Sequence, residues 1–101
     1  METMSVLIAD SSEEFRSTLA NALQGNYRVH ACRTGKEALD ILQRTPPDVL
    51  ILDLMLPELD GISLLQTVSA AGVRPTVLAT TRLANDYVVE ATTKLGVEYL
   101  M

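Results

Sequence analysis

The chain has 101 residues, 48% of them hydrophobic and 21% charged, which is enough for one domain with its own core and too little for two. Its single cysteine, Cys32, cannot close an internal disulfide, no run nears the ~18 apolar residues of a membrane span, and METMSVLIADSSEEF lacks the basic-then-apolar pattern of a signal peptide. Thirteen acidic against eight basic residues give a net charge of −5, so the expectation is a cytoplasmic unit that binds neither membrane nor nucleic acid directly.

In chain order, the first short apolar run is Ser5–Ala9 (SVLIA), of strand length. A helix follows Ser11, where Ser11-Ser12-Glu13-Glu14 reads as a capping box; Phe15, Leu19, Ala22 and Leu23 share one stripe, and Gly25 stops it. A second strand spans Tyr27–Ala31, whose alternation suits an edge and turns His30 to solvent. Thr34 to Glu37 repeats the capping box; Ala38, Ile41 and Leu42 continue that helix until Pro46-Pro47 forbids it. The third strand is Val49–Leu52, apolar without alternation, as befits a strand covered on both faces. A helix from Asp60 carries Ile62, Leu65 and Val68 and ends near Gly72. Then come a strand at Thr76–Ala79, a helix from Asn85 or Asp86 to Lys94 with Gly96 as its left-handed cap, and a last strand at Val97–Met101.

Strands alternating one for one with helices imply parallel strands joined by right-handed crossovers, an α/β sandwich. In such sheets ligands bind beyond the carboxyl ends of the strands, where strand order reverses. The residues there are Asp10, Asp53, Thr80 and Thr81. Two carboxylates and a hydroxyl suit Mg²⁺, and an aspartate beside such an ion can act as a nucleophile toward phosphorus. Blander readings stand beside these. Asp53 could cap a loop, Asp10 could serve as a helix N-terminal charge, Ser11 could be a helix cap, Thr80 an ordinary strand residue and Tyr99 simple packing. Cys32 reads as a small packed residue.

The segment from Asp48 to Gly61, DVLILDLMLPELDG, is similar throughout to the third strand and phosphoacceptor loop of the receiver domains of bacterial two-component response regulators. VLIAD at the start, PTVLAT at residues 75–80 and LGVEYL at residues 95–100 resemble the same family, so the likeness covers residues 1–101. The resemblance implies a flavodoxin-like (CheY-like) doubly wound sheet of five parallel strands in the order 2-1-3-4-5. It implies that Asp53 accepts a phosphoryl group from the phosphohistidine of a sensor histidine kinase. Mg²⁺ would be held by Asp10, Asp53 and the backbone carbonyl of Met55. Thr80 would be the switch hydroxyl and Tyr99 the aromatic that follows it. Met55 and Arg82 stand at the positions that tune phosphoryl lifetime.

Two departures from the family pattern matter. Where the family carries a second acidic residue this chain has Ser11, a weak ligand for a hard cation, so weaker Mg²⁺ binding is expected. The family's lysine and fifth helix would lie past Met101, so the chain reads as a C-terminally truncated receiver that leaves apolar sheet surface to be covered. The implied partners are the kinase, a C-terminal output domain or downstream protein, and a second copy through the fourth helix and fifth strand. The function implied is a phosphorylation-switched regulatory domain, not an enzyme. The alternative is a degenerate receiver that binds partners without phosphate. An aspartate-nucleophile phosphatase is disfavoured because Met55 stands where its acid/base aspartate belongs, and a flavodoxin because DSSEEF lacks a glycine-rich phosphate loop.

Overall fold

The computed structural model describes residues 3–81 and 85–100. The elements are β1 (Ser5–Ala9), α1 (Glu13–Leu23), β2 (Arg28–Cys32), α2 (Gly35–Arg44), β3 (Val49–Asp53), α3 (Gly61–Ala70), β4 (Thr76–Thr80), α4 (Asp86–Lys94) and β5 (Val97–Leu100). All strand pairs are parallel, in the order β2-β1-β3-β4-β5, the flavodoxin-like topology expected from the sequence. The chain steps outward from β1 to β2, then crosses back over β1 to β3. Because crossovers are right-handed, that reversal puts α1 on one face of the sheet and α2, α3 and α4 on the other.

Alternation along the central strands sorts their side chains between these faces. Leu7 and Ala9, Leu50 and Leu52, and Val77 and Ala79 point into one core with Ala38 and Leu42 of α2 and Leu64, Leu65 and Val68 of α3. Leu50, Leu52, Leu42 and Leu64 are fully enclosed, each worth roughly 1.5–3 kcal/mol of burial. The opposite face is thinner. Ile8 is sealed, but Val49, Ile51 and Leu78 are only half-buried, and α1 buries none of its residues.

Local chemistry sets the element ends. Asp60 caps α3 by accepting from the Ser63 N–H at 2.9 Å, and Asn85 caps α4 through the Val88 N–H at 2.9 Å. Gly72 (φ +83°) closes α3 with its own N–H on the Ser69 carbonyl and the Val73 N–H on the Val68 carbonyl, a paired closure that needs the left-handed backbone glycine tolerates. Gly96 (φ +78°) ends α4 as expected. Several boundaries shift by one residue from the sequence reading: β2 ends at Cys32, β3 at Asp53 and β4 at Thr80, each one later than expected. β2 runs from Arg28, one residue later than expected, because Tyr27 bonds back to Leu23 at 3.0 Å and closes the α1 turn. The first helix is capped by Ser12 and not Ser11: the Asp10 carboxylate takes the Ser12 N–H at 2.8 Å, so the chain turns one residue further before Ser12 Oγ accepts from the Phe15 N–H. The capping box from Ser11 to Glu14 therefore does not form.

Cys32 is packed as expected. Burial, and secondarily the Glu37 carboxylate, push its thiol up to about 11, so it stays protonated. His30 is exposed on the edge strand. Asp60 illustrates the opposite shift, because its bond from the Ser63 N–H holds its carboxyl below the ordinary 3.8. A carboxyl lowered on folding contributes stability that is complete above its unfolded pKa and is lost as pH falls through the folded one. Asp60→Asn should keep the cap, flatten that acid limb, and leave stability at pH 7 within ~0.5 kcal/mol, whereas Asp60→Ala should lose about 1 kcal/mol at pH 7. Chemical unfolding at pH 3 and pH 7 separates the two.

Candidate functional site

The strand register builds the site. Ala9 pairs with Leu52, which pairs with Ala79, and Asp53 pairs with Thr80. Asp10, next after Ala9, thus stands beside Asp53, which stands beside Thr80: three polar residues in one row across three adjacent strands. By parity all three lie on the α1 face, the half of the sheet where strand order reverses. Between β1, β3 and β4 lies a crevice of about 690 Å³ lined by Asp10, Ser11, Ser12, Phe15, Asp53, Met55, Thr80 and Thr81.

Asp10 is the most enclosed of these, 8% exposed. Its backbone is tied at both groups, the N–H to the Cys32 carbonyl at 3.1 Å and the carbonyl to Arg16 Nη1 at 2.7 Å, so its carboxylate has a fixed origin. Asp53 is half-buried, and one of its oxygens accepts from the Met55 N–H at 2.8 Å. Met55 itself is 55% exposed, its side chain at the lip of the crevice. Ser11 is exposed at the rim.

The loop from Leu54 to Asp60 is held from several sides. Leu54 and Leu56 are buried knobs that alternate with exposed Met55 and Pro57. The Leu54 N–H extends the ladder to the Thr80 carbonyl at 2.9 Å, and its carbonyl accepts from the Gly61 N–H at 3.0 Å. A Cβ on Gly61 would meet the Leu54 Cα at 2.7 Å, so the opening of α3 fits against this loop only with glycine there.

The sequence reading named Asp10, Ser11, Asp53, Met55, Thr80 and Thr81, and all of them line the crevice. It did not name the Phe15 side chain, or the amides of Ser12 and Met55 that bind the two carboxylates. The backbone of Tyr99 lies in β5 opposite Leu78, while its side chain, Arg82 and Met101 fall outside the described residues. Among the described residues, no three His, Cys, Asp or Glu side chains gather into a metal-binding group. Two carboxylates and a carbonyl nevertheless fit Mg²⁺, which is commonly held by one or two carboxylates and keeps several waters.

Likeness to known proteins follows the same lines. The family described as response regulator receiver domain matches residues 6–101. The response regulator MprA of Mycobacterium avium is 36% identical over 70 residues, 68% of this chain and 31% of its own. A protein-glutamate methylesterase/protein-glutamine glutaminase of Rhodospirillum rubrum is 39% identical over 75 residues, 72% of this chain and 20% of its own. The chain thus spans a third or less of these curated relatives. Among solved structures, the receiver domain of Francisella response regulator 1452 superposes with a TM-score of 0.88 at 27% identity, over 98% of this chain and 83% of that one. With the family match running almost end to end and the polar row at the reversal point of the sheet, this chain belongs to the response regulator receiver domains.

Proposed function

We propose that the domain is a phosphorylation-switched signalling module in which Asp53 is the phosphoacceptor. The observation that supports this is the row of Asp10, Asp53 and Thr80 at the carboxyl ends of three adjacent strands, opening on one crevice. An Asp53 carboxylate oxygen attacks the phosphorus of a phosphohistidine on a sensor kinase. The P–N bond breaks and its electron pair returns to the imidazole, leaving an acyl phosphate on Asp53. The Met55 N–H at 2.8 Å holds one Asp53 oxygen and so aims the other. Mg²⁺, held by Asp10, Asp53 and the Met55 carbonyl, would neutralise charge on the transferring oxygens. The Thr80 hydroxyl, one strand away, then donates to a phosphoryl oxygen, and Tyr99 in β5 responds.

The change is read by partners. On α4, Tyr87 is 70% and Val89 47% exposed, which supports a contact surface with β5 for an output domain, a downstream protein or a second copy. Among the described residues no helix is long and apolar enough to cross a membrane, in keeping with a cytoplasmic site of action. The domain regulates and turns over no substrate of its own. On the α1 face Val49, Ile51 and Leu78 are only half-buried, which supports a contact of that face with a further covering element.

The direct test is to incubate the full natural chain with a small phosphoryl donor and Mg²⁺ and weigh it intact. One added phosphoryl group, lost on mild base treatment, is expected; its absence counts against the proposal. Ser11 carries a second expectation. With two carboxylates in the site, Ser11→Asp should tighten Mg²⁺ binding roughly tenfold by adding a third negative ligand. Calorimetric titration measures this, and an unchanged affinity would mean that the Ser11 position does not face the ion. The two-carboxylate site also favours one other reading, a receiver that engages partners without phosphate, which Asp53→Asn binding its partner as well as the unsubstituted chain would support.

A further inference from the structure

The first residue of α2 lies against the loop that follows Asp53. The Gly35 N–H donates to the Pro57 carbonyl at 3.0 Å, and the same carbonyl accepts from the Leu59 N–H at 2.8 Å. The second bond closes a three-residue turn around Glu58, whose φ of +70° is the one positive value at a non-glycine among the described residues. Such a conformation persists in a residue with a side chain only when its surroundings hold it. Gly35 is what holds it closest. A Cβ there would run into the Leu59 carbonyl oxygen, 2.6 Å from its carbonyl carbon and 2.7 Å from its Cβ. These are mostly backbone atoms, which cannot swing aside as a side-chain tip would.

Resting on the reading of Asp53 as phosphoacceptor, we propose that Gly35 is a positioning residue for phosphoryl transfer, setting the height of the loop that carries the Met55 amide and carbonyl. The far ends of the loop cannot absorb a displacement. Leu54, at one end, is buried and bonded to Thr80, and Gly61, at the other, is bonded back to Leu54. A push at Leu59 therefore falls on residues 55–60, where the Met55 N–H meets Asp53 at 2.8 Å. A misplacement of about 1 Å at reacting groups can lower a rate by as much as ~10²-fold. Gly25 is the natural control, because nothing lies within 4 Å of a Cβ placed there.

The experiment follows adduct formation from a small phosphoryl donor, over a range of Mg²⁺ concentrations, in the full natural chain. Gly35→Ala should slow the maximal rate per folded molecule by roughly 10- to 100-fold and shift the Met55 and Glu58 amide resonances, while Gly25→Ala changes the rate less than about twofold. A purely structural role would lower the folded fraction and leave both the rate per folded molecule and the Met55 resonance alone; that result overturns the inference. Should Gly35→Ala fail to fold, exposed Glu58 supplies the second test. Glu58→Val, β-branched and poorly suited to positive φ, should slow transfer in the same direction, whereas Glu58→Gly should keep the unsubstituted rate. Equal rates for that pair also overturn it. No adduct on the unsubstituted chain overturns the phosphoacceptor reading and the inference together, whereas a normal adduct with normal Gly35→Ala kinetics overturns the inference alone.

Discussion

Asp53→Asn is expected to abolish phosphoryl incorporation, from a small donor and from a histidine kinase alike, without loss of fold. The substitution preserves shape, and its remaining carbonyl oxygen can still accept from the Met55 N–H that now meets Asp53 Oδ1 at 2.8 Å. What disappears is the nucleophile, because an amide oxygen at that position cannot form a stable acyl phosphate. A second change accompanies it. Asp53 stands in register beside Asp10, an aspartate only 8% exposed, so two acidic side chains share one crevice, where like charges repel. Removing one charge relieves that repulsion, and Asp53→Asn should unfold at no lower a temperature than the unsubstituted chain. The paired readout of intact mass and thermal unfolding keeps a chemical loss apart from a structural one. Residual adduct of normal stoichiometry on a folded Asp53→Asn would move the acceptor to another side chain. Loss of adduct together with a large drop in melting temperature would show that Asp53 is structural first.

How much of this was legible beforehand depends on the range of the interaction involved. The fold was readable because it rests on patterns inside single segments: VLIA and VLIL as buried strands, Asp60 and Thr34 as caps, Gly96 as a left-handed stop. The site was readable because parallel strands of equal length bring their ends together, so Asp10, Asp53 and Thr80 meet without any detailed knowledge of packing. Competition between neighbouring groups was not readable. Ser11 and Ser12 offer equivalent hydroxyls, and the choice between them is made by the Asp10 carboxylate capturing the Ser12 N–H. Nor was the contact between Gly35 and Leu59, which joins segments 24 residues apart through backbone atoms that carry no side-chain signature. Glu58 at φ +70° belongs to the same class, because its conformation comes from the α2 contact and the Pro57 carbonyl and not from its own preference.

The same distinction yields the second large effect. Leu50 and Ile51 are neighbours in one apolar run, and from sequence they look interchangeable as core. In the folded sheet Leu50 points toward α2 and α3 and is 0% exposed, while Ile51 faces the α1 side and is only half-buried. Leu50→Ala should therefore cost about 2–5 kcal/mol, because the surrounding Leu7, Leu52 and Leu64 are held by their own packing and cannot close the cavity. Against a total stability of roughly 5–15 kcal/mol for a domain, that is enough to unfold a large share of molecules near 40 °C. Ile51→Ala in residues 1–101 should cost well under half as much, since water already reaches part of the side chain and no closed cavity forms. Urea unfolding with an unchanged slope gives both values. Equal costs for the two would mean that the α1 face is sealed in solution. If the Ile51 cost then rose with protein concentration, a second copy would be the cover, because association stabilises by mass action and burial within one chain does not.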